Sequence, residues 1–319
     1  MKRALILALS IAVVTASVAA EPVKIRVGQG PASEEPLWLM KLKPNLTPNQ
    51  GKAYTLEFQV FRGTDMRFKA YEAGGLDLFT GTASANLQAW SSGLKFKAVA
   101  SLSRETEKGF VTQFAVLADS PIKSIRDLKG KVIGNTGAHS STELWLRLSL
   151  IKEGLDPDRD VSIVVVPFPT QGGALRAKKL DLATLVQPFY AGEVAKGGVR
   201  TLFTSKHSLP YDEELLNLLA SEKFTSQHPE ALRAFLKDFV AATKHYLANI
   251  DAMKKLFLES KIVRIPPEIY LTMQDYYFVP DGRIDIDAYR RTQDAMVAQG
   301  FQKTKIDPAQ FIDLSFLPQ

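Results

Sequence analysis

Cysteine is absent from all 319 residues. That excludes a disulfide framework, thiolate metal ligation, a cysteine nucleophile and a lipid anchor on an N-terminal cysteine. Histidine is scarce: the four are His139, His207, His228 and His245. None has the spacing of a zinc-binding helix and no carboxylate cluster accompanies them, so neither a metal nor a cofactor is expected. The Gly-x-Ser-x-Gly elbow and the Gly-Lys-Ser/Thr phosphate loop are both missing. Ser120-Pro121-Ile122-Lys123 has the Ser-x-x-Lys spacing of penicillin-recognising enzymes, but the companion Ser-Asp-Asn and Lys-Thr-Gly motifs do not occur; Ser120 reads as part of a turn opened before Pro121. The basic residues are scattered and not gathered in a stripe interleaved with aromatics, which argues against a nucleic-acid partner. The formal net charge is +6, two units of it from Lys2 and Arg3, and a mildly basic cleft would suit an anionic ligand.

What is present begins with an export signal. Met1-Lys2-Arg3 precedes an apolar stretch from Ala4 to Val14, and small residues at Val18-Ala19-Ala20 lead to the first acidic residue, Glu21. Residues 1 to 20 are expected to be a signal peptide cleaved after Ala20. Beyond them no window reaches about 18 consecutive apolar residues, so the mature chain is expected to be soluble and free in the periplasm.

The mature chain alternates strand-like and helix-like segments, which predicts an α/β architecture with mixed, mostly parallel sheets flanked by helices. Val23 to Val27, Leu56 to Phe61 and Leu76 to Thr80 read as strands, with a polar turn at Arg62-Gly63-Thr64-Asp65 and a helix through Phe68, Ala70 and Tyr71. The pattern restarts at Phe114 to Leu117. A strand at Lys131 to Gly134 and a helix at Thr142 to Ile151 follow, and the β-branched run Val161 to Val166 predicts a buried parallel strand. From Glu213 onward the pattern reads as helical, first through Leu215, Leu216, Leu218 and Leu219, then from a start at Pro229 through Leu232, Phe235, Leu236 and Phe239.

An approximate internal repeat underlies this order. Ala70, Gly74-Gly75, Asp77-Leu78 and Thr80 in the first half answer to Gly172-Gly173, Ala174, Asp181-Leu182 and Thr184 in the second, with Asp77 and Asp181 104 positions apart. Each unit reads as strand, loop, helix, tight turn and a strand opened by an acid. Two such units in one chain are what a hinged clamp requires.

The segment from Asp119 to Gly134, with Asp77-Leu78, Asp181-Leu182, Pro188 and the stretch His228 to Phe235, resembles the periplasmic binding proteins for sulfonates, taurine, nitrate and thiamine precursors. The resemblance implies a two-lobe, type II periplasmic binding fold with crossings near Thr112 and Thr204. One lobe would hold residues 21 to 112 plus 205 to 319, the other residues 113 to 204. It implies capture of a small anionic or zwitterionic molecule between the lobes and delivery to an ABC permease in the inner membrane, by a monomer that is not an enzyme. An alternative within the resemblance is a pyrimidine or thiamine-precursor ligand. It also extends to enzymes on the same scaffold, thiamine-pyrimidine synthases and a menaquinone-pathway dehydratase; the former need a cysteine-rich motif absent here, and both are expected in the cytosol.

In open α/β sheets ligands sit beyond the carboxyl ends of the strands, so the loops that follow strands are the candidates. In Gly137 to Glu143, Ser140 and Glu143 have capping-box spacing. The free N–H groups of that helix start, with the hydroxyls of Ser140, Ser141 and Thr142 and a hydrogen bond from His139, could hold an oxyanion. Trp38 could wall the ligand, and Gly81, Thr82 and Ala83 open another helix. Gln171, Gln187 and Phe189 are the counterparts across the cleft, and Arg62 could fork onto a sulfonate or carboxylate.

Overall fold

The computed structural model describes residues 21–319, so the expected signal peptide lies outside the described residues. Among the described residues, eleven strands form two sheets. In the first, β1 (Val23–Gln29) lies between β2 (Tyr54–Val60) and β3 (Leu78–Thr82) and runs parallel to both. β4 (Lys97–Glu105) completes this part of the chain before it crosses to the second sheet. That sheet holds β5 (Gln113–Leu117), β6 (Val132–Asn135), β7 (Ser162–Val165), β8 (Leu182–Leu185) and β9 (Val199–Thr204). The chain then returns through β10 (Glu213–Ala220) and the short β11 (Tyr277–Phe278), both in the first sheet.

The two sheets have the same order once their strands are matched. The first runs β2-β1-β3-β10-β4, with β11 beyond β4, and the second runs β7-β6-β8-β5-β9. β10 and β5 occupy equivalent places, and each is antiparallel to both neighbours. The sheets are mixed, as expected, because each includes the strand by which the chain arrives from the other.

Six helices pack on these sheets: α1 (Glu35–Leu42), α2 (Thr64–Glu72), α3 (Ala83–Ser91), α4 (Ser141–Lys152), α5 (Phe168–Arg176) and α6 (Phe189–Ala195). Further helices follow β10, including Pro229–Ala248, which starts at the expected proline and buries Leu232, Phe235, Leu236 and Phe239.

The repeat is visible atom by atom. Asp77 accepts the backbone N–H of Arg26 at 2.9 Å and Asp181 accepts that of Val132 at 2.9 Å, so each acid opens its strand by pinning the adjacent β1 or β6. Gly28 and Gly134 hold equivalent places, each close under a leucine: an added Cβ would come 2.6 Å from Leu76 Cδ1 or Leu180 Cδ1 and make that side chain move. The sequence matching needs one correction. Gly74 in its positive-φ turn answers to Lys178, at φ 55°, and Gly172-Gly173 lie inside α5.

Two readings are corrected. Glu213 to Ala220 is β10, buried along its whole length, and not a helix. Leu and Glu favour helix, but a buried segment paired along both edges, by β3 and β4, gains more from burial and ladder hydrogen bonds than propensity can offset. β7 is parallel as expected but is an edge strand, with Val165 72% exposed.

Candidate functional site

A cavity of about 90 Å3 lies between the carboxyl ends of the two sheets. Its second-sheet wall is the start of α4. Ser140 caps that helix, its Oγ accepting from Glu143 N at 3.2 Å, but Glu143 returns its carboxylate to His139 N, not to Ser140 N. Thr142 Oγ1 donates to Asn135 Oδ1 at 2.7 Å, which fixes the hydroxyl against the end of β6. Ser141 Oγ lies 3.0 Å from Ser84 Oγ on α3, so the two halves of the chain touch here. The sequence can build this wall because a serine cap and its acid are local signals, and the orphan N–H groups of the first turn follow from helix geometry.

The opposite wall comes from the loop after β1 and the start of α2. Glu34 and Arg67 form an ion pair at 3.3 Å with side chains 0% and 5% exposed. Burial pushes the Glu34 carboxyl up to about 7, against the opposing pull of Arg67, Thr80 and the Gly30 N–H. Burial likewise lowers Arg67, again opposed by Glu34. Arg67 also donates to Thr64 Oγ1 at 2.9 Å, which anchors it to the first turn of α2. Arg62 stands exposed at the cavity mouth, and Phe61, Phe168, Leu215 and Leu216 supply apolar lining.

Of the residues singled out in the sequence, Arg62, Thr82, Ser140, Ser141 and Thr142 line the cavity together. The other seven do not. Trp38 is core, its ring edge-on to Phe257 at 5.7 Å. Gly81 is covered by Asn86, whose Oδ1 would lie 2.2 Å from an added Cβ, and Ala83 is buried in the first turn of α3. His139 faces an outer groove shared with Arg147 and Phe301. Gln171 spends its amide on strand ends, donating to Val166 O and accepting from Thr184 N. Gln187 donates to Gln274 O at 3.2 Å, bracing one half of the chain against the other. Phe189 stacks beside Phe168, and it is Phe168 that reaches the cavity.

Sequence reasoning missed Glu34, Arg67, Thr112, Trp145 and Tyr276. One signal was available for Arg67: it stands 104 positions before Gln171, at the equivalent place on its helix.

Behind the cavity the two crossings are tied together. Glu105 at the end of β4 accepts from Thr112 N at 2.5 Å and from Ser205 Oγ at 2.6 Å, and burial raises its pKa. Lys206 Nζ donates to the carbonyls of Glu105 and Tyr211, each at 2.7 Å. Trp145 on α4 donates its indole N–H to both oxygens of Glu213 at 3.1 Å. Burial pushes Glu213 up to about 8, opposed by Lys206 and by the indole hydrogen bond and reinforced by Glu105.

The same fold is found in the alkanesulfonate-binding protein SsuA of Xanthomonas axonopodis bound to MOPS. The likeness covers 92% of this chain and 99% of that one, with a TM-score of 0.75 at 20% identity. Among curated relatives, the nitrate/nitrite binding protein NrtA of Synechococcus elongatus is 28% identical over 170 residues, 50% of this chain and 37% of its own length. The riboflavin-binding protein RibY of Chloroflexus aurantiacus is 23% identical over 269 residues, 79% of this chain and 73% of its own length. The match thus spans well under two thirds of the nitrate-binding relative, whereas the fold is shared end to end. The architecture is that of the periplasmic binding proteins, and the NMT1-like family profile matches residues 18–257, most of the chain, which therefore belongs to the NMT1-like family.

Proposed function

We propose that this chain is the exported solute-binding component of an ABC importer. It closes two lobes, residues 21–112 with 205–319 and residues 113–204, over a small organic anion or zwitterion, and hands that ligand to a membrane permease unchanged. One observation carries the reading: the start of α4, with Ser140, Ser141 and Thr142, opens into a cavity whose other wall presents Arg62 and Thr82. The first turn of a helix offers unpaired N–H groups and the positive end of its dipole to an oxyanion. Arg62 adds a charge-assisted fork from the facing wall. Phe61, Phe168, Leu215 and Leu216 accept the organic part.

A cavity of about 90 Å3 is well below the ~300–1,000 Å3 of sites for drug-sized ligands, which favours a compact sulfonate or carboxylate over a flavin.

The test is a thermal-unfolding screen of the mature protein against sulfonates, carboxylates, nitrate and aminopyrimidines. A ligand at 100 times its Kd should stabilise by about 2.7 kcal/mol. A melting temperature unmoved by every anion would refute the reading, and a shift with aminopyrimidines alone would move it to the thiamine-precursor class.

A further inference from the structure

We infer that Trp145 is the specificity-determining residue that sets the size of the ligand: its indole closes the buried side of the cleft one helical turn behind the proposed oxyanion site, and so admits a short alkyl group and excludes a ring. The inference rests on the anion-binding reading above and adds to it what limits the ligand's bulk.

Ser141, Thr142 and Trp145 all line the cavity. Their spacing makes them one face of α4, since Trp145 stands four residues after Ser141 and three after Thr142. Long side chains on a helix lean toward its N-terminus and cover the preceding turn. The indole therefore lies over the turn that carries the two hydroxyls, next to where the oxyanion would be held. Trp145 is 1% exposed, whereas Arg62 stands exposed at the mouth, so a ligand that enters past Arg62 meets the indole last.

The ring is tethered. Its N–H donates to both oxygens of Glu213 at 3.1 Å, and Glu213, buried at the start of β10, lies 3.7 Å from Lys206 Nζ. Swinging the indole aside would leave a buried N–H and a buried carboxyl without each other, and unpaired buried polar groups carry a desolvation cost. With the ring fixed, the cavity of about 90 Å3 is smaller than the ~150 Å3 void that admits benzene in an apolar protein interior. A phenyl group has no room there beside the hydroxyls. Leucine at position 145 keeps good helix propensity and apolar character while removing the bulk of the indole, and the space left by a large-to-small substitution is only partly refilled by its neighbours.

The experiment is isothermal titration calorimetry on the full mature chain with two matched pairs of probes: ethanesulfonate against benzenesulfonate, and propanoate against benzoate. The wild type should bind the alkyl member of a pair at least about tenfold more tightly, the lower end of what a misfit in an apolar pocket produces. In Trp145→Leu the aromatic member should gain at least about tenfold on the alkyl one, so that the ratio falls to one or inverts. Equal or tighter binding of the aromatic members by the wild type overturns the inference while leaving anion binding intact. Binding of none of the four probes overturns both readings. A wild-type ratio that survives Trp145→Leu assigns the limit to another residue and also overturns the inference. Should the leucine variant fail to fold, Trp145→Phe, which keeps an aromatic ring in the core but shortens it, carries the same test: a gain for the aromatic probes supports the inference and an unchanged ratio overturns it.

Discussion

Replacing Glu213 by Gln should make the protein more stable at pH 7.5 and flatten its dependence on pH. Glu213 sits at the start of β10, fully buried, with its carboxyl pushed up to about 8 chiefly by burial. An unfolded glutamate titrates near ~4.3. Between those values the native state keeps a proton that the unfolded state has released, so stability falls as pH rises through the window. Below the unfolded pKa both states are protonated and the penalty vanishes; above about 8 it is complete. Across two pH units inside the window the loss is about 2–3 kcal/mol for one carboxyl. Glu34 and Glu35, pushed up to about 7 and about 8 mainly by burial, add to the same slope. The informative quantity is therefore the difference between wild type and Glu213→Gln.

Glutamine retains an oxygen for the Trp145 indole, and Lys206 keeps the carbonyls of Glu105 and Tyr211. The substitution removes the charge with little loss of pairing. Urea titrations at pH 5.5 and 7.5 on both proteins give the double difference directly. If the wild type gained stability toward pH 7.5, or if Glu213→Gln kept the wild-type slope, the assignment of Glu213 as a raised carboxyl would be wrong. Glu213→Leu is the control: relative to Glu213→Gln it strands the indole N–H, and should cost about 1–3 kcal/mol more at both pH values.

Ser140→Ala should lower stability by about 1 kcal/mol through loss of the α4 cap and should also weaken binding of the anion found in the thermal screen, the two effects being separable by urea titration and calorimetry. Arg62→Ala, at an exposed site on the cavity mouth, should weaken anion binding about tenfold or more with the melting temperature of the free protein unchanged. Asp77→Ala should destabilise more than Asp181→Ala by urea titration. Asp77 holds both the backbone and the guanidinium of Arg26, whereas Asp181 holds a single backbone N–H. N-terminal sequencing of protein recovered from the periplasm should begin at Glu21.

The sequence made the repeat and the α4 cap readable because both are local. An acid opening a strand, a glycine under a leucine and a serine three residues before a glutamate each act within one turn or one ladder step. β10 was misread because leucines and glutamates carry the same propensity wherever they fall, and only the neighbours decide between helix and strand. The β-branched run of β7 reads as buried for the converse reason: such residues mark a strand but not whether it lies at the edge of its sheet. At the site, Arg62 was visible as an exposed charge after a strand, whereas Arg67 and Glu34 were not. Burying an ion pair depends on Gly30 admitting it and on Thr80 from β3 completing it. Trp38 illustrates the opposite error, a large aromatic near a loop whose ring belongs to the core against Phe257.

The exchanged antiparallel strands set the order in which the molecule can assemble. All strands of the second sheet lie in one uninterrupted stretch, from Gln113 to Thr204. The first sheet is split, because β3 and β4 have no direct contact in the ladder and are joined only by β10, where Leu218 faces Thr80 on one side and Ala100 on the other. A chain emerging from its N-terminus can complete the later sheet before the earlier one. The first sheet must wait with an open seam until Glu213 to Ala220 arrive, a long-range closure of the kind that slows folding.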